Sequence, residues 1–193
     1  MSTIIQDGSG NGFSAKVDSN NRLLVKGITR TEFENSTFEG DAYNINTFNI
    51  NVTVGTETPL LYLKNNESRD MIIAAWFIGT GIQGGSPTQL PLFQAYSNVT
   101  GGTILSGTPV EAINRAVGLA NVLDADIFAG NGSTTTATGY DPTPILYQTQ
   151  GAQQRAFGNV YITLKRGSSL VITATMNGAQ NIDVYTGFQV YLV

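Results

Sequence analysis

The chain has 193 residues and a formal net charge of −4, and charged residues occupy only 12% of positions, whereas about 25% is usual in globular proteins. This length fits one domain with a sizeable hydrophobic core. The chain contains no Cys and no His, which excludes disulfides, thiolate metal sites, a histidine general base and a Ser-His-Asp triad. Its acidic balance and scattered basic residues predict no nucleic-acid partner. We therefore expect a protein that is not an enzyme and needs no cofactor.

Residues 1–40 are predicted to form an N-terminal arm. Within it, Phe13–Val17 and Leu23–Ile28 alternate apolar and polar residues around a Ser-Asn-Asn turn, which is the pattern of a β-hairpin. An isolated hairpin is only marginally stable in water, so we expect this one to pack on another surface. The polar residues 29–40 are interpreted as a linker to the body, which begins at Asp41.

The body, residues 41–193, shows strand-like alternation over most of its length. Its longest unbroken apolar run, Met71–Ile78, is predicted to be the central core strand. The alternation changes phase around Asn46–Thr47, which predicts a bulge or bend there. Apolar runs or alternating apolar residues predict further strands at 60–63, 92–96, 145–148, 160–164, 170–176 and 182–192.

Roughly eight or nine strands, with turn signals every ~8–12 residues, predict an all-β sandwich or barrel. Two segments depart from this pattern. Glu111–Leu119 is predicted to form one or two short helical turns. Gly130–Gly139 is low in complexity and is predicted to be a mobile loop.

A formal G-x-G-x-x-G pattern, Gly79 to Gly84, follows the strongest strand. In dinucleotide-binding folds such glycines bring a pyrophosphate onto a helix N-terminus. Here Pro87 and Pro91 stand where that helix has to run, and no alternation of strands and helices follows. We therefore interpret Gly79–Pro87 as a flexible loop between strands, not as a nucleotide site.

Two acidic patterns have a possible chemistry. Asp7 to Asp18 matches part of a calcium loop, with oxygen ligands and a glycine at several required positions, but it lacks the bidentate Glu. Asp124 and Asp126 form a close carboxylate pair, as a glycosidase requires, but without aromatic sugar platforms nearby. The favoured interpretations are a flexible lead into the hairpin and a solvated loop, so no metal ligand and no catalytic residue is assigned.

No segment is predicted to cross a membrane or to direct export. Met71–Ile78 is too short to span a bilayer as a helix, and Met1–Asp7 has neither a basic nor an apolar signal-peptide region. We expect synthesis and folding in a cytosol and no membrane partner. Trp76 lies in the apolar run and is interpreted as a core residue; stacking against a ligand is the alternative.

Several segments resemble structural proteins of tailed-bacteriophage virions. They are LLYLKNNESRDMIIAAWFIGTG, AYSNVTGGTILSGTPVEAINRA, LANVLDADIFAGNGST and RGSSLVITATMNGAQNIDVYTGFQVYLV. In addition, GNGFSAKVDSNNRLLVKG resembles a short module at the start of phage head and tail proteins. The resemblance covers about three quarters of the chain, and its motifs are structural rather than catalytic.

The resemblance implies a jelly-roll or related β-sandwich on the outer surface of the phage head. It further implies a decoration (cement) protein, commonly a homotrimer, whose partners are the major capsid protein and copies of itself. In that case residues 1–40 are expected to reach the shell or a neighbouring subunit, while 41–193 form the antiparallel sandwich. The alternative is a host-surface or carbohydrate-binding module of a fibre or baseplate, with binding by loops Gly79–Pro87 and Gly130–Asp141. A polysaccharide depolymerase using Asp124 or Asp126 is a third hypothesis.

Overall fold

The structure is a computed structural model that describes residues 16–17, 23–24, 30–82, 91–148, 155–178 and 180–193. The chain divides into two compact units, Met1–Thr31 and Glu32–Val193. In the first unit, Lys16–Val17 (β1) pairs antiparallel with Leu23–Leu24 (β2), which confirms the predicted hairpin in its described residues. The possible calcium loop from Asp7 to Asp18 lies outside the described residues.

In its described residues, the second unit has one α-helix, at its start, followed by strands that are joined by loops and two short 3₁₀ helices. The helix α1 spans Glu32–Glu39. The strands are β3 Ala42–Asn46, β4 Ile50–Val52, β5 Glu57–Asn65, β6 Met71–Ile82, β7 Pro91–Ser97, β8 Thr108–Pro109, β9 Ala112–Asn114, β10 Ala125–Ala129, β11 Asp141–Gln148, β12 Arg155–Leu164, β13 Ser169–Met176 and β14 Ile182–Leu192.

These strands form two antiparallel sheets with jelly-roll topology. Sheet one has the order β12-β6-β14-β3-β9, with β4 also beside β14, and sheet two has the order β11-β7-β13-β5-β10-β8. The pairs β3·β14, β5·β13, β6·β12 and β7·β11 are nested in sequence and alternate between the sheets. A long antiparallel ribbon has therefore rolled up so that β14 also meets β6 and β13 also meets β7. The predicted jelly-roll sandwich is confirmed.

The core lies between the sheets and is filled by alternating apolar side chains from both. In β6, Met71 and Ile73 belong to this core, and so do Trp76 and Ile78. Two residues that are three apart cannot face one side of a regular strand. The register of β6 against β14 shifts between Ile73 and Ala75. Because of this bulge at Ala74, Trp76 and Ile78 face the core on the same side as Met71 and Ile73.

A buried hydrogen-bond network interrupts the apolar face of β14 at Thr186. The Trp76 indole Nε1 donates to the Thr186 hydroxyl at 2.6 Å, and that hydroxyl donates to the carbonyl of Phe77 at 2.9 Å. The backbone of Thr186 is in turn bonded to Thr47, through its amide and carbonyl. Thr186 is fully buried. A hydroxyl is suitable at this buried position because it accepts the hydrogen bond that the Trp76 indole donates. The core interpretation of Trp76 is confirmed.

The segment interpreted as a linker, residues 29–40, contains α1. Acidic residues in its first turn suit the positive end of the helix dipole, and Asn35 donates to Glu39 one turn later. Phe33 packs edge-on against Tyr191 of β14, with ring centroids 5.6 Å apart. The helix thus covers the outer face of sheet one and belongs with the sandwich.

The residues between β7 and β11 form a long insertion, 98–140, and one prediction for it was wrong. Glu111–Leu119 is not helical: Ala112–Asn114 extends sheet one as β9, because its backbone pairs with β3. Gly130–Gly139 is a loop, as predicted, with a short 3₁₀ turn at Gly132–Thr134, and Thr103 and Thr136 bond to each other's amides through their hydroxyls. The insertion also places Val99 and Ile104 over the outer face of sheet two.

The Thr186 hydroxyl is expected to contribute measurably to stability. Thr186→Val keeps the shape of the side chain but removes the acceptor of the Trp76 indole, and we expect a loss of about 1–3 kcal/mol in the free energy of unfolding. Thr163→Val, at an exposed position of β12, is the control and should change stability by less than about 0.5 kcal/mol. Urea denaturation measures both, and equal effects would contradict the assigned role.

Candidate functional site

An exposed apolar surface lies at the β9 edge of the sandwich, and we call it the apolar corner. Val117 is fully exposed, Val122 is 85% exposed and Phe38 is 70% exposed. Its residues are Phe38, Ile113, Val117, Leu119 and Val122. These side chains come from the end of α1, from β9 and from the segment that follows β9, and each of them is exposed. Exposed apolar side chains that the fold brings to one edge are candidates for an interaction surface.

The end of α1 gives the apolar corner its shape. Gly40 has a φ of +82°, its amide bonds to the Thr37 carbonyl, and the Asp41 amide bonds to the Ser36 carbonyl. This is the Schellman motif, in which a left-handed glycine ends a helix. A Cβ on Gly40 would lie 2.6 Å from Leu119 Cδ1. The glycine therefore allows both the backbone turn and the approach of Leu119.

Asparagine side chains tie the segment after β9 to this helix end. Asn114 Nδ2 donates to the Gly40 carbonyl at 2.6 Å, and Asn121 Nδ2 donates to the same carbonyl at 3.3 Å. Arg115 lies 4.8 Å above the Phe33 ring and donates to Asn44. These bonds hold residues 114–121 against α1 and β3. The apolar side chains of the corner are consequently presented by a fixed backbone.

In the described parts of the chain, the other large exposed apolar side chains do not extend this surface by chain position. Phe48 and Val54 flank β4, Tyr161 lies on β12 at the opposite edge of sheet one, and Val193 follows β14. Single exposed apolar residues are common in soluble proteins. We therefore treat the apolar corner, and not these residues, as the candidate interface.

A second feature is a cavity of about 240 Å³ beside the outer face of sheet two, which we call the polar groove. One wall is the insertion, with Ser133, Thr136, Thr138 and Tyr140; the other includes Glu57 of β5 and Thr173 of β13. The Thr173 hydroxyl donates to Glu57 Oε1 at 2.7 Å. The groove therefore combines hydroxyl groups, one carboxylate and one aromatic ring.

Tyr96 packs against Tyr140, a residue of the groove lining. Its ring lies 4.1 Å from that of Tyr140, measured between centroids. Burial raises the pKa of the Tyr96 phenol, and the hydrogen bond and negative charge of Glu57 raise it further. Tyr96 is thus a neutral hydrogen-bond donor that holds the Glu57 carboxylate in place.

In the described residues, the motifs singled out from the sequence do not come together in one site. Gly79 and Gly81 lie inside β6, paired with Tyr185 and Asp183 of β14, so the start of the G-x-G-x-x-G pattern is strand and not a phosphate-binding turn. A Cβ on Gly79 would overlap the Tyr185 ring, which explains the glycine. Residues 83–90, including Gly84 and most of the predicted loop Gly79–Pro87, lie outside the described residues.

The carboxylate pair is divided between two structural roles. Asp126, in β10, lies 3.6 Å from Lys64 Nζ and accepts a hydrogen bond from Asn66. Asp124 precedes the strand, is exposed, and its amide donates to Glu67. The two acids therefore help to fix neighbouring turns.

The sequence predicts one wall of the polar groove but does not predict the apolar corner. Loop Gly130–Asp141, the predicted binding loop of the alternative function, does line the groove. Glu57 and Thr173 give no signal, because a polar residue on an outward strand position is ordinary. Val117 and Val122 lie in a segment whose apolar residues follow neither strand nor helix spacing, and that irregularity is the available signal.

Neither metal sites nor relatives identify the protein. Among the described residues there is no group of three acidic side chains that could hold a metal ion, and none of their helices is long and apolar enough to cross a membrane. Comparisons with family models, curated proteins and solved structures return no match.

The packing of Leu119 on the helix end can be tested at Gly40. Gly40→Ala forces a Cβ into a left-handed residue and against Leu119, whereas Gly167→Ala forces one into a left-handed residue with open space around it. We expect about 1–2 kcal/mol of destabilisation for Gly167→Ala and about 1 kcal/mol more for Gly40→Ala. In a Leu119→Ala background that excess should fall, and what remains reflects Asn121 Nδ2, which would lie 3.0 Å from the same Cβ. An unchanged excess would show that Leu119 does not pack on Gly40.

The protonation of Tyr96 is testable by absorbance titration at alkaline pH. Because its folded pKa lies above the unfolded value of about 10, the neutral phenol stabilises the fold below pH ~10, and this contribution falls as pH rises beyond that value. We expect a delayed ionisation phase in the native protein, reduced in Tyr96→Phe and absent in concentrated urea. A delayed phase of equal size in Tyr96→Phe would contradict the assignment.

Proposed function

We propose that this chain is a structural protein of a bacteriophage virion that decorates the outer surface of the head and stabilises it through subunit contacts. The observation that carries the proposal is the apolar corner. Its five side chains are held by a rigid helix end and a strand edge, yet they stay largely exposed in the described part of the chain. A surface of this kind is stable in water when a neighbouring molecule buries it.

The occupant that we propose for the apolar corner is a second copy of the same chain, within a homotrimer. Charged residues make up only 12% of the whole chain, so contact between copies through the apolar side chains of the corner removes few charges from water. A contact between two different surfaces of identical subunits closes into a ring when the rotation fits. Such a ring is the form expected of a trimeric decoration protein.

The major capsid protein is the second proposed partner, contacted through the N-terminal arm. The arm and the sandwich divide after Thr31, earlier in the chain than the boundary at Asp41 expected from sequence. The helix α1 therefore stays with the sandwich, and the arm before it is the part proposed to reach the shell. Several modest contacts repeated across a trimer give strong overall attachment, because each later contact forms at high effective concentration.

Adding charge to the apolar corner should separate the subunits without unfolding them. Val117→Asp and Val122→Asp place a carboxylate where the proposed interface buries a methyl group. Both side chains are highly exposed in the single chain, so its stability should change by less than about 0.5 kcal/mol. We expect trimers of the wild type in sedimentation equilibrium and an association at least ~10-fold weaker in each variant.

The control carries the same added charge elsewhere. Ser106→Asp changes an exposed residue in the insertion over sheet two and should leave the trimer intact. Binding to empty heads of the phage that encodes the chain, measured by co-sedimentation, should fall in the two valine variants and not in the control. A wild type that is monomeric at high concentration, or heads that bind no stoichiometric amount of it, would refute the proposal.

A further inference from the structure

We propose that the polar groove binds a single uncharged sugar unit, with Glu57 accepting hydrogen bonds from its hydroxyl groups. Binding in the groove does not depend on the proposed assembly through the apolar corner. The two surfaces lie on different sheets: the corner borders β9 of sheet one, and the groove lies against β5 and β13 of sheet two.

The first reason is the set of polar groups around the groove. Hydroxyl groups both donate and accept hydrogen bonds, as do those of a sugar. The Glu57 carboxylate has about four acceptor positions, and the hydroxyls of Thr173 and Tyr96 use two of them. The remaining positions suit two adjacent hydroxyl groups of a pyranose ring, which can both donate to one carboxylate.

The second reason is charge, which selects against anionic ligands. Among the residues that the structure describes, no lysine or arginine lines the groove, so a phosphate, sulfate or acidic sugar would approach the Glu57 carboxylate without a compensating cation from them. One carboxylate and its neutral hydroxyl neighbours are too few ligands to bind a metal ion at ordinary affinity. A neutral polyol is the class that the lining residues favour.

The third reason is size and rigidity. The cavity of about 240 Å³ is smaller than the ~300–1,000 Å³ typical of sites for drug-sized ligands, and so it suits one ring rather than a long segment. Tyr140 is held against Tyr96 and offers an aromatic surface for the apolar face of a sugar. The bonds between Thr103 and Thr136 fix the wall of the groove before any ligand arrives, which lowers the entropic cost of binding.

A neighbouring cavity lacks this combination. It measures about 420 Å³ and shares Thr135 with the groove, but its lining residues, drawn from segments 103–109 and 131–135, include neither a carboxylate nor an aromatic ring. Size alone therefore does not single out the polar groove. The distinguishing feature is the carboxylate held between two hydroxyl donors.

Saturation-transfer NMR on the full chain tests the proposal. The probes are glucose, galactose, mannose, N-acetylglucosamine and N-acetylgalactosamine, each up to about 50 mM, so that millimolar dissociation constants are detected. Glucose 6-phosphate and N-acetylneuraminic acid are the anionic comparators. We expect at least one neutral sugar to bind with a Kd on the order of 1–10 mM and neither anionic sugar to bind as tightly.

Matched variants locate the binding. Glu57→Gln should weaken the neutral sugar roughly tenfold, since it removes a charged acceptor. Thr138→Val, at an exposed residue of the opposite wall, should weaken it by a few-fold and does not touch the buried network, so it remains informative if Glu57→Gln loses its fold. Thr163→Val, on β12, should have no effect.

Three results would overturn the proposal. They are no binding by any neutral sugar in the panel, binding that both groove variants leave unchanged, and equal or tighter binding of the anionic sugars. Val117→Asp should bind the sugar as the wild type does. A failure of assembly is thereby distinguished from a failure of the groove.

Discussion

The pairing of β14 with β6 is the contact on which the rest of the sandwich depends. The two strands pair from Ile182 opposite Ile82 to Leu192 opposite Met71, with one register shift at the Ala74 bulge, and β14 also pairs with β3 and β4 along its other side. Without β14, the first and third strands of the roll would present unpaired edges, which are costly when buried and prone to aggregation when exposed. The pairing also brings Thr186 to Trp76 and Tyr191 to Phe33. It therefore positions both the hydrogen bond of the core tryptophan and the strand surface on which α1 packs.

The same framework explains why the two proposed surfaces can coexist. The apolar corner depends on a helix seated on the outer face of sheet one, and the polar groove depends on a loop held over the outer face of sheet two. The sandwich core lies between them. A change of side chain at either surface leaves the inward-facing residues of β5, β6, β13 and β14 untouched, because alternate residues of a strand face opposite sides.

The strands and their sandwich are predictable from sequence because their signal is local. Val160 to Leu192 alternates with period 2, and the structure has β12, β13 and β14 there. The run Met71–Ile78 correctly predicts the central strand, but its unbroken apolar character has two causes that sequence does not separate. One is the bulge at Ala74, and the other is the cover that α1 gives the outer face.

The features that escape prediction are held by contacts between distant residues. The helix α1 has few apolar residues, and its stability comes from Phe33 on Tyr191 and from the Schellman turn at Gly40. The strand β9 is only three residues long and exists because β3 offers an edge. Glu57 becomes part of a site only when the insertion folds over β5. Local pattern carries no information about such pairings. Strand spacing predicts a sandwich or barrel in general, and the order of the strands is visible only in their pairing.

The position of the insertion at the innermost hairpin of the ribbon makes this fold a natural platform for variation. Residues 98–140 join β7 to β11, and the nested strand pairs outside that hairpin keep their register whatever its length. Closing a longer loop costs only slightly more free energy than closing a short one. Most of the apolar corner and one wall of the polar groove come from this single connection. Exchanging this connection would therefore change both proposed surfaces in one step, while the strands of the sandwich scaffold stay the same.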